Sequence, residues 1–306
     1  MTDSSDFPVK GLRGRLTPNA PLGPRAWFRV GGPADWVFTP EDQDDLALFL
    51  RKKPVSMPVT VLGACSNVII RDGGIAGTVI RLARGFADIE VEGNSLIVGA
   101  AALDITVAEH AAAAGLAGLE FLAGIPGSIG GAVRMNAGAY GSDLDAVLEW
   151  AEILTDKGEL RRLSRAELGF AYRHSELPEG SVVIRASLRG TPDDANAIRS
   201  RIADIRASRE ASQPVRARTG GSTFRNPEGR KAWQLIDGAG CRGLRIGDAQ
   251  VSEKHCNFLL NLGQASSTDL ETLGETVRKK VLAQSGVSLH WEIKRIGRQS
   301  EGEQTL

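Results

Sequence analysis

Apolar side chains recur at helical spacing in four stretches of the sequence. The first predicted helix begins at Thr39, which can cap it, has Pro40 in its first turn and stops before Pro54. The other predicted helices cover residues 104–114, Thr191 to about Arg206, where Thr191-Pro192-Asp193-Asp194 repeats the cap pattern, and residues 267–284. The predicted inward faces carry Leu46, Phe49, Leu50, Ile198, Ile202, Ile205, Leu270, Leu273, Val277 and Val281.

Short runs rich in β-branched residues, bounded by turn residues, predict strands. These runs are residues 59–62, 68–70, 78–82, 95–98, 150–154, 182–188, 256–261 and 289–296. The last two flank the helix 267–284, which predicts a β-α-β arrangement. The pattern as a whole predicts an α+β protein with an N-terminal arm over residues 1–22 and three units over 23–83, 84–207 and 208–306.

Composition places the chain among ordinary globular proteins. It has 306 residues, of which 42% are hydrophobic and 24% charged, values that exclude a disordered, coiled-coil or membrane protein. Nine of its 36 glycines lie between Gly99 and Gly141, and residues 111–133 carry a single charge, Glu120. Pro126 and these glycines would break a membrane helix, so the stretch predicts a glycine-rich backbone surface that faces a ligand.

Charge and cysteine content exclude further classes. Thirty-seven basic residues balance 37 acidic ones, so no overall field favours nucleic acid or an anionic membrane as a partner. Cys65, Cys241 and Cys256 lie far apart, which fits neither a disulfide framework nor a zinc site, and we expect no metal. The first 14 residues contain no apolar segment of the kind found in signal peptides, so a reducing cytoplasm is expected.

Two glycine-rich loops are the clearest candidates for binding an anion. The sequence has no P-loop and no Rossmann fingerprint. Residues 63–67 and 124–131 can each point successive backbone N–H groups at a pyrophosphate, although a single glycine cluster is more often a tight turn. His255 beside Cys256 does not indicate a metal or thiol–imidazole site, because adjacent residues of a strand face opposite ways.

A set of longer motifs extends this picture. In chain order they are LGACSNVIIRDGG, GLEFLAGIPGSIGGAVRMNAGAYG, FAYRHS, GGSTFRNP, WQLIDGAGCRG, VSEKHCNFLLN and LHWEIKRIG. Together they resemble the bacterial UDP-N-acetylenolpyruvoylglucosamine reductases, over about residues 23–297. The two glycine-rich loops alone would indicate only a flavoprotein of the vanillyl-alcohol-oxidase type, whereas the later motifs are more specific.

The resemblance implies an activity and a fold. The family reduces the enolpyruvyl ether of UDP-N-acetylglucosamine to UDP-N-acetylmuramate, a step of peptidoglycan precursor synthesis, with non-covalent FAD and with NADPH as co-substrate. By resemblance, residues 23–83 and 84–207 are two α+β subdomains of a vanillyl-alcohol-oxidase-type FAD-binding fold. Residues 208–306 would form an α+β substrate-binding domain, and the small-molecule nucleotide-sugar would be the main partner of a monomer or weak homo-oligomer.

The resemblance also assigns site residues. Arg173, Ser222 and Glu292 match the family's catalytic positions. The expected cofactor-binding residues are Gly63, Ala64, Cys65, Ser66, Asn67, Ile125, Pro126, Gly127, Ser128, Gly130, Ala132, Asn136 and Gly138. The expected substrate-binding residues are Tyr172, Arg225, Asn226, His255 and Asn257.

The chemistry of the reaction explains why arginine, serine and glutamate suit the three expected catalytic positions. Hydride addition to C3 of the enolpyruvyl group leaves charge on C2 that spreads into the substrate carboxylate, and the planar fork of Arg173 suits that carboxylate. Ser222 is expected to donate the proton to C2. Glu292 either shares a proton with the substrate carboxylate or orients Arg173, because a neighbouring carboxylate would raise its pKa and a neighbouring arginine would lower it.

The chain departs from the family pattern at three places. Ala64 and Cys65 stand where the family usually has glycine, so a positive φ at either position would strain the backbone by about 1 kcal/mol. Trp291 replaces a residue that is often proline, and the chain resembles the shorter type II subgroup.

Two other functions stay open: another FAD-dependent oxidoreductase of the same superfamily that acts on an alcohol or sugar, and a non-catalytic UDP-sugar-binding protein.

Overall fold

The computed structural model describes residues 7–300, so residues 1–6 of the predicted N-terminal arm and 301–306 of the predicted third unit lie outside the described residues. The chain forms two compact units. Within residues 7–300, the first comprises residues 7–18, Trp36–Ala64 and Gly77–Ser208, and the second comprises Asn19–Asp35, Cys65–Ala76 and residues 209–300. Both units are therefore built from separate segments of the chain. The predicted division at residues 22, 83 and 207 stays a prediction.

Seven α-helices occur in the described part of the chain. They are α1 (Gln43–Lys52), α2 (Asp104–Ala113), α3 (Ile129–Met135), α4 (Leu144–Val147), α5 (Ala195–Ser212), α6 (Ala232–Gly238) and α7 (Ser267–Ser285). Short 3₁₀ helices cover Gly23–Arg25, Arg84–Phe86 and Glu120–Gly124. Helix α7 has both of its predicted ends: Ser266 and Asp269 form a capping box, and Gly286 adopts the left-handed conformation that stops it.

The strands are short and numerous. They are β1 (Arg15–Pro21), β2 (Pro33–Thr39), β3 (Val59–Val61), β4 (Val68–Ile70), β5 (Ile75–Ile80), β6 (Ile89–Glu92), β7 (Ser95–Gly99), β8 (Leu116–Ala117), β9 (Gly138–Ala139), β10 (Ser142–Asp143), β11 (Leu148–Leu154), β12 (Leu160–Ser164), β13 (Val182–Arg189), β14 (Thr191–Pro192), β15 (Arg245–Ile246), β16 (Ala249–Val251), β17 (Leu259–Asn261) and β18 (Lys294–Ile296). Most of them pair antiparallel, as expected for an α+β protein.

The first unit contains two main sheets. One has the strand order β1-β2-β5-β3, with β3 and β5 parallel, and the other is an antiparallel sheet in the order β12-β11-β13-β7-β6. The buried residues of β7, β11 and β13 pack with α2 and α3 in one hydrophobic core, and Phe7, Phe38 and Phe49 belong to a second core. The first of these cores holds α2 and α3 in place within the glycine-rich stretch.

The second unit has its own core. Its small antiparallel sheet has the order β15-β16-β17, and α7 buries Leu270, Leu273, Val277 and Val281, as the sequence predicted. Phe28 and Phe224, from opposite ends of the chain, lie in the same core. None of the helices within residues 7–300 is long and apolar enough to span a membrane.

The predicted start of the first helix is wrong by three residues. Thr39 is the last residue of β2, and Asp42 caps α1 by accepting a hydrogen bond from the Asp45 N–H at 3.0 Å. The predicted inward face of this helix is confirmed, because Leu46, Phe49 and Leu50 are all buried. A local cap signal thus found the helix but placed its cap on the last residue of a strand.

The predicted start of the third helix is also wrong. Thr191 and Pro192 form the two-residue strand β14, paired with β8, and α5 begins at Ala195. The Asp194 carboxylate accepts from the N–H groups of Asn196 and Ala197 at 3.0 and 2.9 Å, so the capping residue lies three positions later than predicted. The helix runs to Ser212 rather than ending near Arg206.

The predicted β-α-β arrangement at the end of the chain is wrong as well. Only Leu259–Asn261 of the first predicted strand and Lys294–Ile296 of the second are strands. They belong to different sheets, since β17 pairs with β16 whereas β18 pairs in parallel with β4. The strand after α7 therefore joins a partner more than 200 positions earlier in the chain, a pairing that the local pattern does not encode.

Candidate active site

In the first unit, the glycine-rich loop 124–128 lies along the start of α2. Leu103 and Ser128 form an isolated antiparallel bridge, and the Asp104 N–H donates to the Gly127 carbonyl at 3.2 Å. The N–H groups of Ile129 and Gly130 donate to Ala102 and Ala100 at 3.0 and 2.9 Å. The loop that the sequence predicted to bind the cofactor, with Ile125 and Pro126 in it, is therefore fixed by backbone bonds up to the first turn of α3.

Two glycines of the predicted cofactor site have no room for a side chain. A Cβ atom on Gly63 would lie 2.6 Å from the Ser128 Oγ, and one on Gly127 would lie 2.6 Å from the Asp104 Oδ2. The Gly63 contact also brings the two predicted loops together within the first unit, since Gly63 and Ser128 belong to different loops. The side-chain oxygens of Ser128 and Asp104 occupy the space that a Cβ atom would need, which favours glycine at these two positions.

The loop offers hydrogen-bond donors that suit an anionic cofactor. Within residues 7–300, the backbone N–H groups of Gly127 and Ser128 make no hydrogen bond. Successive N–H groups at a glycine turn before a helix form the kind of concave site that binds a diphosphate. The residues of this loop therefore fit the dinucleotide diphosphate that the sequence analysis predicted.

Asp104, which the sequence analysis placed only as a helix start, is a buried carboxyl group beneath this loop. It is 0% exposed, and neither of its carboxyl oxygens has a hydrogen-bond partner in the described chain. Burial raises the pKa of Asp104 well above its usual range. The sequence does hold one signal for it: Asp104 is the only charged residue between Glu92 and Glu109.

The other predicted loop, residues 63–67, passes from the first unit into the second. Cys65 has a φ of +55°, whereas Ala64 is not among the residues with positive φ. Within the second unit, the Cys65 carbonyl accepts from the Trp27 N–H at 3.3 Å, and Asn67 bonds to the strand that carries Glu292, donating to the Glu292 carbonyl at 3.4 Å. Of the two family glycines that this chain lacks, only Cys65 occupies a conformation that favours glycine.

Replacing Cys65 with glycine is expected to stabilise the protein. Relief of left-handed strain, about 1–2 kcal/mol, exceeds the added entropy of an unfolded glycine, about 0.4–1 kcal/mol, so the net gain is about 0.5–1 kcal/mol. The matched control is Ala64→Gly, which relieves no positive φ and is expected to lower the free energy of unfolding. Urea unfolding of both variants measures this; a loss of stability in both would show that the Cys65 backbone is not strained.

Asn136 and Ala132 were predicted to bind the cofactor, and both are buried, each 3% exposed. The Asn136 side chain donates to the Ala171 carbonyl at 3.2 Å and to Asp143 at 3.3 Å, and accepts from the Asp145 N–H at 2.9 Å. All of its hydrogen-bonding atoms are thus used inside the first unit. Asn136 links the end of α3 to the turn that carries Arg173.

Arg173 lies at the tip of a tight hairpin. Ala171 and His174 exchange backbone hydrogen bonds of 3.1 and 3.0 Å, which leaves Tyr172 and Arg173 as the turn residues. Arg173 has a φ of +57°, and its guanidinium donates to the Gly138 carbonyl at 2.8 Å. An arginine held in a left-handed conformation costs about 1–2 kcal/mol, so this turn stores strain at a predicted catalytic residue.

In the second unit, Ser222 lies in a short segment, residues 222–224, that forms isolated β-bridges with a segment on each side. Ser222 bridges Phe258 on one side, and Phe224 bridges Trp291 on the other. The Thr223 carbonyl accepts from both the Glu292 N–H at 2.8 Å and the Ile293 N–H at 3.4 Å. Two successive N–H groups on one carbonyl mark a β-bulge, which changes the direction of side chains at sheet edges and active sites. The structure therefore brings Ser222 and Glu292 onto neighbouring bridged segments, with the bulge at Glu292.

Trp291, one of the residues that depart from the family pattern, packs next to Glu292 and stabilises this segment. Its indole packs on Phe224 with ring centroids 5.1 Å apart and donates to the Glu275 carboxylate at 2.7 Å. A Cβ atom on Gly274 would lie 2.2 Å from the indole, so α7 needs glycine there to accommodate the ring. Glycine at position 274 therefore leaves the space that the Trp291 indole occupies.

The remaining predicted substrate residues lie in the same unit. The Asn226 side chain accepts from the Ala232 N–H at 2.9 Å at the start of α6, and the Arg225 N–H donates to the His290 carbonyl at 2.9 Å. Burial lowers the pKa of His255, which favours its neutral form, and its Nδ1 accepts from the Asn257 N–H at 3.3 Å. Asn257 itself is 4% exposed.

Comparisons with known proteins agree on one family. The family model described as "UDP-N-acetylenolpyruvoylglucosamine reductase, C-terminal domain" matches residues 213–296, and one described as "FAD binding domain" matches residues 34–164. A protein of Gluconobacter oxydans (strain 621H) is 91% identical over 306 residues, the whole of both chains, and one of Acidiphilium cryptum (strain JF-5) is 63% identical over 94% of this chain and 93% of its own. Both are named UDP-N-acetylenolpyruvoylglucosamine reductase.

A solved structure supports the same assignment. The UDP-N-acetylenolpyruvylglucosamine reductase (MurB) from Thermus caldophilus has a TM-score of 0.81 and 36% identity, covering 93% of this chain and 99% of its own. The predicted α+β fold, with an FAD-binding domain before a C-terminal domain, is thereby confirmed. From the identity and coverage of these relatives, the chain belongs to the UDP-N-acetylenolpyruvoylglucosamine reductase family.

Proposed function

We propose that this protein reduces the enolpyruvyl group of UDP-N-acetylglucosamine enolpyruvate with NADPH and non-covalent FAD, forming UDP-N-acetylmuramate for peptidoglycan precursor synthesis. The observation that carries the proposal is the 91% identity with a reductase of that name along the whole chain. The predicted catalytic residues Arg173, Ser222 and Glu292 are all present in the sequence, which supports the proposal.

The proposal assigns the FAD to residues 23–207 and the nucleotide-sugar to residues 208–306. When bound, FAD would supply the hydride chemistry that links NADPH to C3 of the enolpyruvyl group. The unbonded N–H groups of Gly127 and Ser128, with the close approach at Gly63, would hold its diphosphate. Gly130, Gly138 and the loop 64–67 are proposed to line the same cofactor.

Arg173 holds the substrate carboxylate in this proposal. Its guanidinium stays charged throughout turnover and presents a planar fork of donors to the two oxygens. As charge develops on C2 and spreads into the carboxylate, the same hydrogen bonds strengthen, which stabilises the transition state more than the ground state. The bond from Arg173 to the Gly138 carbonyl and the hairpin backbone restrict its motion before substrate binds.

Ser222 delivers a proton to C2, on the carbon next to the one that receives the hydride. Glu292, at the bulge on the neighbouring strand, either shares a proton with the substrate carboxylate or orients Arg173. Tyr172, Arg225, Asn226 and His255 are proposed to complete the nucleotide-sugar site. We also propose that the enzyme is a monomer or weak homo-oligomer that works in the cytoplasm, without nucleic acid or membrane as a partner.

Oxidation of NADPH, followed at 340 nm, tests this function directly. We expect rapid oxidation with UDP-N-acetylglucosamine enolpyruvate and only a slow background with UDP-N-acetylglucosamine, which lacks the reducible double bond. The product should be heavier than the substrate by two hydrogens in mass spectrometry. Equal NADPH oxidation with both nucleotide-sugars, or none with either, would refute the proposed reaction.

A further inference from the structure

Asn257 makes an unusual contact with the strand that carries Ser222. Its side-chain oxygen accepts from the Phe224 N–H at 3.0 Å, and its side-chain nitrogen donates to the Phe224 carbonyl at 2.8 Å. Its own carbonyl accepts from the Thr223 N–H at 2.7 Å. Two successive residues after Ser222 are therefore bound by one asparagine, which uses its side chain as a substitute for a strand partner.

The same segment is held from its other side. The Thr223 carbonyl accepts the hydrogen bond from the Glu292 N–H at 2.8 Å. Asn257 and Glu292 thus flank the backbone of residues 222–224, and a shift of this segment would move Ser222 relative to Glu292. The Asn257 contact is buried, and a buried amide left without a partner would cost stability, so the contact has a defined geometry.

The Ser222 side chain depends on this backbone for its position. Its hydroxyl makes no hydrogen bond to any residue of the described range 7–300, so no neighbouring group fixes where the oxygen lies. Proton transfer needs donor and acceptor within hydrogen-bond distance, and a displacement of about 1 Å in a reacting group can cost 100-fold in rate. A proton donor without a side-chain partner must be placed by the strand beneath it.

We propose that Asn257 is a positioning residue for Ser222, which sets the place of the donor oxygen through the backbone of Thr223 and Phe224. This inference rests on the proposed function and replaces a direct substrate contact as the role of Asn257, because both ends of its carboxamide are already bonded to the protein. It predicts an effect on the limiting rate of proton delivery and little effect on substrate affinity.

The test uses the FAD-loaded protein with Asn257→Ala and, because this variant loses two buried hydrogen bonds and can fail to fold, also Asn257→Asp, which keeps the acceptor for the Phe224 N–H. Stopped flow should show flavin reduction by NADPH within about twofold of the normal rate. Reoxidation by the enolpyruvyl substrate should reach a limiting rate lowered about 10- to 100-fold, with an increased solvent deuterium isotope effect. The dissociation constant of the substrate, from the flavin spectrum, should change by less than about threefold.

Two comparisons separate positioning from general damage. In a Ser222→Ala background, either Asn257 substitution should lower the limiting rate no further, because the group that it positions is gone. Val281→Ala, a truncation in helix α7 of the same core, should leave both half-reactions unchanged. Weaker substrate binding with a normal limiting rate, or full additivity with Ser222→Ala, would overturn the proposal. Failure of the wild-type protein to react with the substrate would instead refute the proposed function.

Discussion

Stopped-flow measurements on Ser222→Ala are expected to show flavin reduction by NADPH at nearly the normal rate and reoxidation by the enolpyruvyl substrate slowed by at least ~100-fold. The first half-reaction creates no charge on the substrate, so it needs no proton donor. The second leaves charge on C2, and loss of a positioned acid typically slows such a step by 10²–10⁴-fold, about 2.7–5.5 kcal/mol of barrier.

Structural damage is a minor concern for this variant, because the Ser222 hydroxyl makes no hydrogen bond within residues 7–300. Thr223→Val is the matched control. The Thr223 hydroxyl is fully buried and has no hydrogen-bond partner in the described chain, so its removal should leave both half-reactions and the stability almost unchanged. Equal slowing of both half-reactions in Ser222→Ala would make Ser222 a structural residue, and no slowing would assign the proton to another donor.

Asp104→Asn is expected to alter how stability depends on pH. Burial raises the pKa of Asp104 in the folded protein, whereas the unfolded chain ionises with a pKa of about 3.9. Between these two values the unfolded state has released a proton that the folded state retains. The wild-type protein therefore loses up to about 1.4 kcal/mol of unfolding free energy for each pH unit in this window, and the asparagine variant does not.

Urea unfolding of the FAD-loaded wild type and Asp104→Asn from pH 4 to 8 measures this difference. The variant should gain stability relative to the wild type as the pH rises. Asp145→Asn provides the opposite case, because hydrogen bonding from Arg165 lowers the pKa of Asp145 and its contribution is lost only as the pH falls through the acid range. Parallel stability profiles for wild type and Asp104→Asn would mean that the carboxyl group ionises normally, so it is solvated in solution.

Sequence periodicity predicted the elements in which buried residues recur at regular, short spacing along the chain. Helix α7 has its predicted boundaries to within one residue, because its apolar face and both caps are encoded within about 20 residues. The start of α1 was misplaced because Thr39-Pro40 and Asp42 are both plausible cap signals, and pairing of β2 in a sheet decided between them. The partner of β18 could not be predicted, since parallel pairing with β4 depends on contacts between distant segments.

The candidate site likewise has features that the sequence predicts and features that depend on contacts between distant segments. Motif resemblance predicted Ser222 and Glu292 as catalytic residues, a prediction that stands, but the bulge at Glu292 depends on hydrogen bonds to the Thr223 carbonyl. The sequence indicated that a positive φ would cause strain at either Ala64 or Cys65. The structure has the positive φ at Cys65. Asp104 was missed because an acidic residue in the first turn of a helix normally indicates a favourable dipole interaction rather than burial.

The interleaved order of chain segments delays folding of the second unit during synthesis. Its first segment is Asn19–Asp35, yet Phe28 packs in a core with residues of α7, and Asp35 pairs with Arg298 at 2.9 Å. At 5–20 residues per second, a ribosome needs about 13–50 s to make the intervening chain. Throughout that interval Phe28, Val30 and Ile69 lack the residues that bury them. The nascent protein therefore exposes apolar segments that chaperones bind and that favour aggregation.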